Sequence, residues 1–108
     1  MQRFSADRDA AEAWLAGPWN SALTGAFKLV RSPREEPHYH RRMREVCIVA
    51  VGRAELMVQG QISMIDEGTL VIVEPGEVHA WRGMSKECRM LALHEPWEAD
   101  DLVVVAAV

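Results

Sequence analysis

From Leu23 onward the chain alternates short apolar runs with Gly, Pro and acidic breaks, and it reads differently over its first twenty residues. The runs AFKLVR (26–31), EVCIVAV (45–51), RAELMVQ (53–59), QISMI (61–65), TLVIVE (69–74) and ECRMLALH (87–94) are rich in Val, Ile and Leu and predict β-strands. Shorter runs at 36–40, 78–82 and 102–107 predict three more. QISMI alternates apolar and polar positions, whereas TLVIV is apolar throughout and predicts a strand covered on both faces. Gly60, between Gln59 and Gln61, predicts a tight hairpin turn. Many short, evenly spaced strands with no second helix point to an antiparallel sandwich or barrel.

The first twenty residues predict a helix. Ser5 is a fair N-cap for ADRDAAEAWLA, Asp7 and Asp9 suit the positive end, and Gly17-Pro18 supplies a stop. The helix is expected over about residues 6–16, with Ala10, Ala13, Trp14 and Leu15 toward the body. The chain then divides into a helical segment over 1–20 and a β-barrel domain over 21–108.

The length of 108 residues allows one domain, and 49% hydrophobic with 26% charged content is that of a globular protein. Twelve basic against sixteen acidic residues, net −4, argue against nucleic acid as a partner. No apolar run approaches a membrane span, and MQRFSADRDAAEAW lacks the apolar core of a secretory signal, so a cytoplasmic location is expected. Cys47 and Cys88 are too few for a disulfide framework and read as reduced thiols.

The histidines change the picture. His38 and His40 stand at i and i+2, so on a strand both side chains project from one face. Glu45 follows five residues after His40, on the wrong parity, and a bulge or short turn among residues 41–44 is needed to bring it back. His79 lies on a separate strand after the Pro75-Gly76 turn. Three neutral nitrogens and one carboxylate converging inside a barrel suit one divalent first-row transition metal, Mn, Fe, Co, Ni, Cu or Zn.

At these residues the sequence resembles the cupin superfamily. The first cupin motif is matched by His38-Tyr39-His40, RRMR, Glu45, VCIVAV and Gly52, and the second by Gly68, TLVIV, Glu74, Pro75, Gly76, EV and His79. Glu74 stands where the family usually has Pro, Gly83 where Asn is common, and Ser32 where the first motif usually begins with Gly. The short spacing, Arg53 to Glu67, is that of compact microbial members. The resemblance implies a single small antiparallel β-barrel of the cupin or jelly-roll type, with a metal held by His38, His40, Glu45 and His79. It also implies a range of functions, from dioxygenases, isomerases and decarboxylases to non-catalytic binding and sensing proteins.

Trp81 and Cys47 fall on the inward parity of their strands, and Met90 shares a face with Cys88, Ala92 and His94; Trp81, Cys47 and Met90 are the expected pocket lining. His94 is expected at the barrel rim. Arg31, Arg34, Arg41, Arg42 and Arg44 gather beside the motif; they are expected to be solvated or paired with Glu35 and Glu36, the alternative being attraction of an anionic substrate. No catalytic general base is evident beside the ligands. A metalloenzyme, oxygenase-like or of related metal-dependent chemistry on a small molecule, is therefore the first reading, and a non-catalytic small-molecule binding or sensing protein the second. The apolar ending LVVVAAV needs cover, and a homodimer with residues 102–108 and part of the first thirty at the contact is expected.

Overall fold

The computed structural model describes residues 1–33 and 36–105. Ten strands run in order β1 (Glu12–Ala16), β2 (Ala26–Val30), β3 (His38–His40), β4 (Arg44–Val51), β5 (Arg53–Val58), β6 (Gln61–Asp66), β7 (Leu70–Val73), β8 (His79–Met84), β9 (Arg89–Glu95) and β10 (Leu102–Val104). They form two five-stranded sheets, β1-β2-β9-β4-β7 and β10-β3-β8-β5-β6, in which every pair is antiparallel. The core lies between them, built on Val49, Leu56, Trp81, Cys88 and Met90. Among the described residues no strand of one sheet is hydrogen-bonded to a strand of the other, so the expected barrel is an open jelly-roll-like sandwich rather than a closed cylinder.

The expected helix at 6–16 is absent. Asp7 instead closes a turn, its Oδ1 accepting from the Asp9 N–H at 2.9 Å, and β1 follows by pairing with β2. An isolated helix of that length is marginal, and the unpaired edge of β2 offers backbone hydrogen bonds that outweigh Ala-rich propensity. The run TLVIV is also not covered on both faces. β7 is an edge strand whose Leu70 and Ile72 are 53% and 54% exposed. On the neighbouring edge strand β6, Ile62 and Met64 likewise face outward while Ile65 is buried.

The hairpin at Gly60 forms as expected, with Val58 opposite Gln61 and positive φ at both Gln59 and Gly60. The segment 102–104 pairs with β3 of its own chain, Leu102 opposite His40 and Val104 opposite His38. Residues 106–108 of the apolar ending lie outside the described residues. Among the described residues no helix is long and apolar enough to cross a membrane.

Gly52 closes the β4–β5 connection at φ +79°, where a Cβ would collide with Ser85 Oγ and come within 3.0 Å of Cys88 Cα. Gly52→Ala is therefore expected to lower stability by about 1–3 kcal/mol, read from urea unfolding. An unchanged midpoint would show that the β4–β5 connection gives way freely.

Candidate metal centre

The site is built where the two sheets face each other. His38 and His40 leave β3 on the same face, and His79 of β8 stands directly opposite His38 in register. Residues 41–43 then carry the chain across to the other sheet, and β4 opens with Glu45 facing inward. The parity problem posed by the sequence is thus solved by a short turn that changes sheets. Asp101 holds that turn: its carboxylate accepts the Arg42 N–H at 3.0 Å and the Met43 N–H at 2.8 Å, and its carbonyl accepts from Arg41 N at 3.1 Å. These bonds outweigh the cost of burying Asp101 and keep its pKa below the usual carboxylate value.

His38, His40, Glu45, His79 and His94 are all buried. The Nδ1 atoms of His38 and His79 lie 2.8 and 3.0 Å from the carbonyls of Glu36 and Glu77, so each ring donates from Nδ1 and, in its neutral form, presents an Nε2 lone pair. Glu45 sits among the imidazoles, with His94 Nε2 at 2.6 Å, His79 Nε2 at 3.6 Å and His40 Nε2 at 3.8 Å. Burial works to raise the Glu45 pKa, but the surrounding imidazoles outweigh it and hold the carboxyl well below its usual range. Burial lowers His38. For His79 burial acts downward, and the Glu45 carboxylate more than reverses it.

Two sets of donors are close enough to hold an ion. The ligand atoms of His38, His40 and His79, and those of His40, Glu45 and His94, each lie within 4.8 Å of one another. Both ring nitrogens of His40, with Nε2 of His79 and Nδ1 of His94, are buried without a hydrogen-bond partner among the described residues. Buried polar atoms are rarely left so, and imidazole with carboxylate is the donor chemistry of a divalent transition metal. The residues fit one.

A cavity of about 350 Å³ opens beside these donors, and Trp81, Cys47 and Met90 stand along its wall while also belonging to the buried core. That volume is in the range of small-molecule sites. Cys47 Sγ is 3.5 Å from Glu45 Oε2, and burial, reinforced by that carboxylate, pushes the thiol well above its usual pKa. It is a neutral thiol rather than a thiolate ligand. His94 is not a rim residue: it is 2% exposed and pairs with Glu45. Its membership of the Met90–Ala92 face was the signal for this. Trp14, Trp19 and Trp97 pack edge to face beyond it, and Trp14 lies 5.3 Å from the His94 ring.

The arginines point elsewhere. Arg31 pairs with Asp9 at 3.5 Å, Arg42 with Glu98 at 3.5 Å and Arg44 with Glu74 at 3.0 Å. Arg31, Arg42 and Arg44 are thus paired with acids, as the sequence led us to expect of this cluster. Arg34 and Glu35 lie outside the described residues.

Residues 29–94 match the family model described as the cupin domain. The chain belongs to the cupin family. A curated relative, an uncharacterised protein of Aquifex aeolicus (strain VF5), is 32% identical over 62 residues, which are 57% of this chain and 51% of the relative. The matched segment thus spans about half of that relative's length. Among solved structures, this cupin is similar to KdgF from Halomonas sp., with a TM-score of 0.70 and 16% identity over 92% of this chain and 90% of that one. It is also similar to the DMSP lyase DddQ from Ruegeria pomeroyi DSS-3, with a TM-score of 0.72 and 22% identity over 87% of this chain and 50% of that one. At these identities the likeness is one of fold.

Asp101→Ala strands the buried Met43 N–H and the half-buried Arg42 N–H at the sheet-changing turn. It should cost about 1–3 kcal/mol in thermal or urea unfolding, with Asp101→Asn milder because one acceptor oxygen remains. Equal stability of the alanine variant would show that other contacts hold the turn.

Proposed function

We propose that this cupin is a metalloenzyme acting on a small molecule through one divalent transition metal held by His38, His40, Glu45 and His79. The observation that carries the reading is the set of buried imidazole nitrogens without partners, gathered around one carboxylate at the base of a cavity. His38 and His79 are fixed in the tautomer that presents Nε2, and His94 orients Glu45 from the other side. When bound, such a metal supplies Lewis-acid polarisation of a coordinated oxygen or, if redox-active, electron-transfer chemistry. The chain itself contributes ligand orientation, a largely dry apolar wall and exclusion of bulk water by Trp81 and Met90.

The first test is metal content. Wild type offered Mn, Fe, Co, Ni, Cu and Zn in turn should retain about one ion per chain, and His40→Ala should lose stoichiometric binding. A wild type that holds none of them ends the proposal.

The reaction is proposed as oxygenase-like, and oxygen uptake by the Fe(II)-loaded protein across small acids, diketones and thiols is its measure. DddQ is by name a lyase, and a lyase reaction at the same centre would continue without oxygen, so an anaerobic repeat separates the two. Binding without turnover in both would favour the sensing reading instead. We also propose a homodimer, supported by β1 and β10 each being a sheet edge with one backbone side unpaired. Light scattering at micromolar concentration should give twice the chain mass; a monomer would refute it.

A further inference from the structure

Among the described residues the cavity wall carries one lysine, Lys28, and neither cupin motif accounts for it. Lys28 lies mid-strand on β2, on the face it shares with the buried Ala26 and Val30, so it points between the sheets. Its side chain is only 14% exposed. Among the described residues that line the cavity it is the one lysine or arginine.

Strand register places it relative to the metal ligands. Trp14, Lys28, Ala92 and Cys47 form one continuous cross-strand row over β1, β2, β9 and β4. The adjacent row on the same face is Ala26, His94 and Glu45. Lys28 and Cys47 are therefore two strands apart, about 10 Å between backbones, and Ala92 between them has no bulk to fill the gap. Ala92 lines the cavity as a small side chain between the longer Lys28 and Cys47.

Packing alone gives no reason for a lysine here. A Val or Ile would suit an inward β position better, and the ammonium's recorded partners are modest. Glu12 Oε1 lies at 3.4 Å on a side chain 36% exposed, and the Trp14 ring centre lies at 5.0 Å. A partly exposed pair of this kind stabilises little and leaves the ammonium able to take a second anion. Of the other acids along the cavity, Glu98 pairs with Arg42 and Asp101 with the backbone of 42–43, while Asp100 is exposed to solvent.

We infer that Lys28 is the anion-binding residue of this cavity and that its ligand is a small organic carboxylate carrying a second, neutral oxygen donor. The carboxylate pairs with the Lys28 ammonium across the Ala92 hollow, and the neutral oxygen faces the His38–His40–Glu45–His79 cluster. Only this second contact rests on the proposed metal reading. A divalent ion with three neutral imidazoles and one carboxylate leaves a net positive centre, and Lys28 adds to it at a cavity whose Glu98 and Asp101 are held by Arg42 and by the backbone of 42–43. Lys28 is thus a specificity residue, visible in AFKLVR as the lone charge on an otherwise apolar alternating face.

The test uses matched pairs that differ only in charge: pyruvate, acetoacetate and 4-oxopentanoate, each against its amide. Binding is followed by isothermal titration and by the fluorescence of the Trp14 cluster, with zinc-loaded and metal-free protein. Wild type should bind at least one carboxylate about tenfold or more tighter than its amide. Lys28→Met, near-isosteric and neutral, should bring that ratio to about one while zinc content stays unchanged. Glu12→Gln removes the competing anion from an edge strand and should tighten carboxylate binding, which keeps the inference testable if Lys28→Met does not fold. A wild type without preference for the carboxylates, including one that binds none of them at about 10 mM, overturns the inference. So does a preference that survives in Lys28→Met, or an absence of gain in Glu12→Gln. Failure of the metal reading looks different: no zinc is retained, yet the carboxylate preference persists in the metal-free protein.

Discussion

A carboxylate buried as deeply as Glu45 must be compensated where it stands, because a lone anion in an apolar interior would take up a proton or unfold the site. Here the compensation is a shell of imidazoles drawn from both sheets: His40 of β3, His79 of β8 and His94 of β9. That shell holds the carboxyl ionised, its pKa displaced downward against the pull of burial. Much of the rest of the architecture can be read as the means of bringing these rings to one point. The sheets supply one face each, and the turn at 41–43 moves the chain from one to the other between His40 and Glu45.

The imidazoles in turn leave polar atoms without partners. His40 has both nitrogens unpaired, and His79 and His94 have one each. Apolar residues would have filled the same volume at less cost, so a donor set left open in this way fits a metal ion better than it fits a packing role. The backbone carbonyls of Glu36 and Glu77 serve the same end by fixing which nitrogen of His38 and His79 faces the centre. Cys47, although beside Glu45, stays a neutral thiol and joins the apolar wall.

Around that centre the sandwich is hollow on one side and dense on the other. Val49, Leu56, Trp81, Cys88 and Met90 close the packed part, whereas Ala92 leaves room beside Glu45 and His94. Trp81 and Met90 belong to both regions, so the wall of the cavity is also part of what keeps the two sheets together. A large truncation at Trp81 would therefore be felt first as lost stability, about 3–5 kcal/mol for a buried tryptophan, before any effect on a ligand could be read.

By itself the sequence determined most of the strands, the Gly60 hairpin and the shared face of His38 and His40 opposite His79. These rest on local signals: alternation, turn residues and the spacing of side chains along one strand. The tertiary structure decided what depended on partners distant in the chain. Residues 12–16 became a strand because the edge of β2 was available, against the local helical preference of an Ala-rich segment. TLVIV became an edge strand because its place in the sheet order left its outer face open to water. His94 and Lys28 entered the cavity because cross-strand register aligns β2, β9 and β4, and Asp101 closed the sheet-changing turn from the far end of the chain. Local propensity can specify an element, but register and sheet order arise only when strands far apart in sequence pair, and those pairings set which inward side chains meet.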